Sequence, residues 1–295
     1  MKTNYNRLAL GTAQFSGKAY GVANKSGRVS RDEMAAIVEY AWSKGVNTLD
    51  TAIIYGDSEL NLGRIGIDKW RVISKIPIVP EHCLDIAGWV RKSVLDSLER
   101  LNISKLDGLL IHSSKELLSP HGEILYRELD NLREENVLEK IGVSIYNTQE
   151  LESIWSLFDL DLVQVPFNII DRRLVISGWL SRLHQAGTEV HVRSIFLQGL
   201  LLMGVEDRPA IFNHWQSLWQ QWHVWLNEQK QTPLQACLNF VKAETEIDRF
   251  VIGVDSLDQL KDILVGIDAQ ALNLAPIELM NEDDNLINPS YWSFH

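Results

Sequence analysis

Four ionisable residues stand at or just beyond the ends of apolar runs, in the order Asp50, Tyr55, Lys75, His112. Asp50 lies within N-T-L-D-T-A-I-I-Y-G-D-S-E, directly after the buried-strand pattern of residues 46–49, with Tyr55 in the loop behind it. Lys75 closes R-V-I-S-K, and His112 closes L-D-G-L-L-I-H. In parallel α/β architectures the carboxyl ends of the strands form the rim where ligands and chemistry sit, so all four side chains are expected on one rim. Their types suggest proton transfer. An Asp beside a Lys holds the ammonium charged, and a charged Lys beside a Tyr favours phenolate, which brings the phenol toward a general acid usable near neutral pH. Taken singly, each has an ordinary explanation as a satisfied rim histidine, a turn aspartate or a solvated lysine. The ordered set of four is what points to catalysis.

The segments that must carry these residues alternate strand and helix along the chain. Apolar runs predict strands at 8–11, 46–49, 72–74, 106–111, 140–144, 161–168, 189–194 and 250–253. Helical spacing predicts helices at 31–44 (Ser30 and Glu33 forming a capping box), from Ser58, at 84–101, 122–136, from Thr148, and at 174–186. Further helices are expected at 211–229, from Thr232-Pro233, and after the last strand. In the third helix Val90, Val94, Leu95, Leu98 and Leu101 form the apolar face, and Trp215, Trp219 and Trp222 form a packing stripe in the 211–229 helix. Eight strands each followed by a helix, with no Gly/Ser-rich linker, read as a single (β/α)8 TIM barrel spanning residues 1–295.

Bulk properties narrow the function classes. The chain is 45% hydrophobic, enough for a large core, and no apolar run approaches the roughly 20 residues of a membrane span. Its opening, M-K-T-N-Y-N-R-L-A-L-G, has no signal-peptide pattern, and the two cysteines, Cys83 and Cys237, make neither a disulfide framework nor a metal site, so a reducing cytoplasm is expected. A net charge of −11 argues against nucleic acid or anionic membrane as a partner. Oligomeric state is left open. No G-x-G-x-x-G follows a predicted strand, so a Rossmann domain is not expected.

The order Asp50, Tyr55, Lys75, His112 resembles the tetrad of the aldo-keto reductases, and nearly the whole chain follows that family's order of elements. The resemblance implies an NAD(P)H-dependent oxidoreductase that reduces an aldehyde or ketone, with Tyr55 as general acid, Lys75 and Asp50 behind it, and His112 orienting the carbonyl. It also implies that NADPH or NADH is bound by Gly11, Thr12, Ala13 and Asp50 near the nicotinamide, and by Ser144 and Gln164 at its carboxamide. Ile145 stands where the family usually has Asn. Arg193 replaces the usual stacking aromatic and would repel an oxidised, cationic nicotinamide, favouring reduced cofactor. Ser194, Phe196, Gln198 and Gly199 match the turn that wraps the pyrophosphate, while Gly253, Val254, Ser256, Gln259 and Asp262 match the adenosine end. There Asp255 replaces the usual Arg or Lys facing the 2′-phosphate, which makes NAD acceptance more plausible.

Two rival readings remain: a cofactor-binding redox-sensing or regulatory barrel with little turnover, and an aldolase using Lys75 as a Schiff base, which Asp50 disfavours by keeping the amine protonated. G-T-A-Q-F, R-S-I-F-L-Q-G-L-L and I-N-P-S-Y-W also resemble a bacterial subgroup associated with surface polysaccharides, which implies a keto-sugar substrate. Gln14, Asn168, Arg172 and the tail aromatics Tyr291, Trp292 and Phe294 would line its polar mouth.

Overall fold

Eight short apolar segments pair in chain order, and the eighth returns to pair with the first. In the computed structural model, which describes residues 5–17, 28–268 and 275–292, the strands are β1 (Leu8–Gly11), β2 (Thr48–Asp50), β3 (Arg71–Ile76), β4 (Gly108–Ile111), β5 (Ile141–Ser144), β6 (Leu162–Pro166), β7 (Glu189–Arg193) and β8 (Arg249–Gly253). They form a closed parallel barrel, the expected (β/α)8 architecture. Closure leaves no unpaired sheet edge. The helices are α1 (Arg31–Ser43), α2 (Ser58–Ile65), α3 (Ile86–Leu101), α4 (Gly122–Glu134), α5 (Gln149–Ile154), α6 (Arg173–Ile176), α7 (Trp179–Gln185), α8 (Gln216–Gln229), α9 (Pro233–Ala243), α10 (Leu257–Asp268) and α11 (Asp284–Ile287). Two of them, α8 and α9, lie between β7 and β8. No helix among the described residues is long and apolar enough to cross a membrane.

Register brings the site together. Gly11 pairs with Asp50 on one side and Gly253 on the other, Ser144 pairs with Gln164, and Pro166 with Arg193. Lys75 pairs with Leu110, and the His112 amide donates to the Ile76 carbonyl at 3.1 Å. In a parallel barrel these pairings put the last residue of each strand on one rim.

Several local expectations change on contact with the fold. Ser30 accepts from the Glu33 amide at 3.2 Å, but the Glu33 carboxylate turns to the Leu257 amide of α10 instead of closing a capping box. Ser58 opens α2, with its hydroxyl buried against Thr12. Thr148 precedes α5 without a side-chain cap bond. Leu95 is 46% exposed, outside the buried stripe of Val90, Val94, Leu98 and Leu101. The expected sixth helix splits into α6 and α7 at Gly178, whose φ of 76° breaks the helical path. Trp215 closes a 3-10 turn, while Trp219, Trp222 and Trp225 of α8 are all buried, so the tryptophan stripe is a core contact.

Candidate active site

Asp50 is the hub of the rim. One carboxylate oxygen accepts from Lys75 Nζ at 2.7 Å, and the other accepts from Gln164 Nε2 at 2.6 Å. Lys75 also donates to the Thr51 carbonyl at 2.9 Å. The two charges are only 4% and 1% exposed, so their desolvation must be offset by this pairing and by the added hydrogen bonds. Because the carboxylate takes the Gln164 amide NH₂, the amide oxygen faces away, and that Oε1 is buried with no hydrogen-bond partner among the described residues. A buried acceptor without a partner needs an explanation, and a donor entering the cavity would satisfy it.

Tyr55 and His112 face each other edge to face, with ring centroids 6.1 Å apart, and Lys75 Nζ lies 5.3 Å from the Tyr55 centroid. Burial and then the Asp50 charge push the Tyr55 phenol up, with Arg193 opposing. The expectation that Lys75 lowers this phenol meets a physical obstacle: Asp50 at 2.7 Å cancels much of the ammonium's field. Tyr55 is thereby held protonated. Burial, Lys75 and Arg193 together lower the His112 pKa to about 4, so the imidazole is neutral at pH 7. Its Nδ1 is buried with no hydrogen-bond partner among the described residues.

A buried hydroxyl cluster fixes the loop between Asp50 and Tyr55. Ser58 Oγ lies 2.8 Å from Thr12 Oγ1 and 3.2 Å from Thr51 Oγ1, and Thr12 Oγ1 donates to the Asp50 carbonyl at 3.1 Å. Gly56, at φ 50°, is required beside Tyr55, since a Cβ there would sit 2.5 Å from the Ser16 carbonyl oxygen.

Above this floor opens a cavity of about 510 Å³. Asp50, Tyr55, Lys75 and His112 all line it, together with Gly11, Thr12, Ala13, Ser144 and Gln164. Arg193 projects into the same wall, its guanidinium 4.5 Å from the Tyr146 ring centroid and its Nη2 donating to the Ile145 carbonyl at 2.9 Å. Ser194, Phe196, Gln198 and Gly199 continue the lining in a turn with left-handed backbone at Ser194 (φ 59°), Leu197 (48°), Gln198 (52°) and Gly199 (91°). At the far end Gly253, Asp255, Gln259 and Asp262 face the cavity. Val254 and Ser256 do not: Val254 is buried in the core, and Ser256 Oγ accepts from the Gln259 amide at 3.2 Å.

The expected polar mouth is largely absent. Gln14 lines the cavity, but Asn168 is fully buried, donating to the Ser194 carbonyl at 3.1 Å while its Oδ1 accepts the Ile170 and Asp171 amides. Arg172 is committed to the carbonyls of Ile169, Ala275 and Pro276. Trp292 packs edge-on against Phe212, with ring centroids 4.9 Å apart. Tyr291 is outside the lining, and Phe294 lies outside the described residues. Reading the sequence missed Tyr146 and the apolar wall of Ile54, Leu202 and Leu234. Tyr146 comes two residues after the end of β5, so the rule that found His112 applied to it as well.

A sequence profile of the Aldo/keto reductase family matches residues 7–276. Over 241 residues the chain is 24% identical to D-threo-aldose 1-dehydrogenase of a Pseudomonas species, a match covering 68% of this chain and 73% of that one. It is 29% identical over 119 residues to D-arabinose 1-dehydrogenase of Saccharomyces cerevisiae, where the match covers 37% of this chain and only 36% of the yeast enzyme. Among solved structures, an aldo-keto reductase from Bacillus halodurans in its holo form superposes with a TM-score of 0.69 at 18% identity, covering 90% of this chain and 88% of that one. The glycerol dehydrogenase of Gluconobacter oxydans gives the same score and coverage at 19% identity. At such identities the superpositions speak for the fold alone. The profile match, running from just before β1 to beyond α10, shows that the chain belongs to the aldo/keto reductase family of oxidoreductases.

Proposed function

We propose that the protein reduces the carbonyl group of a small, hydroxyl-rich compound of the sugar class, using a nicotinamide dinucleotide. The observation that carries this reading is the Asp50 carboxylate shared by Lys75 and Gln164 beneath a protonated Tyr55 and a neutral His112. The residues fit the cofactor. Gln164 Oε1, a buried acceptor with no partner among the described residues, suits a carboxamide NH₂, and Ser144 beside it on the lining offers a hydroxyl. Ser194, Gln198 and Gly199 would border the pyrophosphate, and Gly253, Asp255, Gln259 and Asp262 the adenosine end.

When bound, the nicotinamide cofactor would supply the hydride. The remaining steps belong to the chain. Tyr55 keeps its proton at neutral pH because burial and Asp50 disfavour phenolate, and it gives that proton to the alkoxide, a far stronger base, as it develops on the carbonyl oxygen. Neutral His112 donates one ring N–H to the same oxygen and fixes its position. Lys75 and Asp50 form a rigid, paired support, so little reorganisation accompanies proton transfer. The sugar class rests on Gln14 in the lining and on the two aldose dehydrogenases among the relatives.

The test is fluorescence titration with NADH and NADPH, then turnover of aldoses, keto-sugars and simple aromatic aldehydes by wild type and Tyr55→Phe. We expect Tyr55→Phe to lose about 10²–10⁴-fold in kcat while cofactor affinity stays unchanged, because only the proton donor is removed. Near-wild-type kcat in Tyr55→Phe would reject Tyr55 as the acid. A preference for apolar aldehydes without turnover of any sugar would end the sugar assignment. Tight cofactor binding with no turnover across the panel would favour a redox-sensing barrel.

A further inference from the structure

The cavity holds a cation that the proton chemistry leaves unused. Lys75 and Arg193 are the two basic side chains on its lining among the described residues, and Asp50 takes the charge of Lys75 at 2.7 Å. Arg193 has no carboxylate within ion-pair distance among the described residues. Its guanidinium is nonetheless fixed. Nη2 donates to the Ile145 carbonyl at 2.9 Å, and the charge lies 4.5 Å from the Tyr146 ring centroid. Tyr146 is held in turn, its amide donating to Glu150 Oε1 at 2.9 Å and its carbonyl accepting from Arg173 Nη2 at 3.2 Å. Glu150 also accepts from the Ser114 hydroxyl, two residues past His112, so the loops after β4 and β5 both brace the cation. Nη1 lies 3.4 Å from Ser194 Oγ, and Nε has no acceptor among the described residues.

We propose that Arg193 binds a carboxylate of the substrate, which makes the substrate a sugar acid rather than a neutral sugar. The inference rests on the sugar reading above and narrows it. A guanidinium with open N–H groups and a locked plane is preorganised for two-point binding of a carboxylate, with little side-chain entropy left to lose. Its place decides which anion this is. Arg193 shares the cavity wall with Tyr55 and His112, and its field reaches both: burial and then Asp50 raise the phenol while Arg193 opposes them, and burial, Lys75 and Arg193 lower the imidazole. The bound anion therefore lies beside the carbonyl that those two side chains hold. Charge balance agrees. With Asp50 and Lys75 paired, Arg193 leaves the reacting end with one positive charge in excess, and a substrate carboxylate cancels it. Asp255 and Asp262, the other lining carboxylates, stand with Gly253 at the far end.

The experiment uses the full chain and compares kcat/KM for D-glucuronate with D-glucose and for D-galacturonate with D-galactose, pairs that differ in a carboxylate against a hydroxymethyl group. Wild type, Arg193→Lys and Arg193→Gln are measured, with NADH and NADPH dissociation constants by fluorescence alongside. Wild type should favour the acid of each pair by about tenfold or more. Arg193→Gln should lower the acid-to-neutral ratio about 10–100-fold through KM of the acid, the value of a charge-assisted hydrogen bond. Comparing this ratio between variants cancels the different open-chain fractions of the sugars. Arg193→Lys should retain part of the ratio, and 0.5 M NaCl should reduce it in wild type. Equal use of acid and neutral sugar by wild type, or an unchanged ratio in Arg193→Gln, overturns the proposal. So does a loss shared by both classes together with weaker cofactor binding, which makes Arg193 a cofactor contact. If aromatic aldehydes turn over and no sugar of either kind does, the sugar reading fails first and this inference with it.

Discussion

Replacing Lys75 by methionine isolates the buried ion pair on which the site is built. The substitution keeps the length of the side chain and removes the 2.7 Å pair with Asp50 and the 2.9 Å bond to the Thr51 carbonyl. Asp50, 4% exposed, is then left as a buried carboxylate with the Gln164 amide as its remaining side-chain donor among the described residues. An uncompensated buried charge costs about 3–5 kcal/mol, and a lost buried hydrogen bond adds about 1 kcal/mol. Lys75→Met should therefore lose about 4–6 kcal/mol of stability by those values. Asp50→Asn in the same chain removes the stranded charge, so the double variant should recover about 3 kcal/mol, which appears as a coupling energy in a double-mutant cycle. Urea unfolding of wild type, both single variants and the double variant at pH 7 measures it. Turnover stays lost in the double variant, which separates stability from chemistry. A Lys75→Met chain within 1 kcal/mol of wild type, or a double variant no more stable than Lys75→Met, would refute the argument that this pair carries compensated charge.

Two further outcomes follow from the charges lining the cavity. The His112 pKa of about 4 lies below its ordinary 6.5, so as pH falls the unfolded chain takes up this proton first. Its contribution is thus complete above pH 6.5 and is withdrawn by about 3 kcal/mol down to pH 4; His112→Asn should flatten the stability profile in that window, and an unchanged slope would contradict the shift. Asp255→Arg, on the cavity lining, should strengthen NADPH binding over NADH by about 1–3 kcal/mol, measured as the ratio of dissociation constants; an unmoved ratio would mean that the 2′ position lies elsewhere.

The barrel and the four rim residues were legible because both depend on local pattern: apolar runs predict strands, and an ionisable residue ending a parallel strand reaches the rim whatever the rest of the chain does. What depends on distance was not legible. That Asp50 divides its carboxylate between Lys75 and Gln164, and so screens Tyr55 from the ammonium, needs register and rotamers across three strands. Asn168 and Arg172 looked like solvent-facing groups of a polar mouth. In the fold, backbone amides and carbonyls left over after β6 and near the carboxyl end claim them. The same accounting diverts Glu33 from its own helix, since the α10 amide it satisfies belongs to a segment that no local pattern links to α1.

The turn after β7 shows how such buried groups serve the cavity. Ser194, Leu197 and Gln198 are three of the six non-glycine residues with positive φ among the described residues, and all three fall within five positions. Left-handed backbone at non-glycine residues costs of order 1–3 kcal/mol each, so the turn persists only where its surroundings over-determine it. Those surroundings are identifiable. Asn168 holds the Ser194 carbonyl, Leu197 and Leu200 are fully buried, and the Leu197 and Gly199 amides close back onto Ser194 and Phe196 at 2.8 and 2.9 Å. Burial of the leucines offsets the strain, and the strained backbone in turn presents Ser194, Gln198 and Gly199 to the cavity in one shape. Asn168 thus shapes the wall without itself lining the cavity, which is why a polar residue sits fully buried two positions past the end of β6.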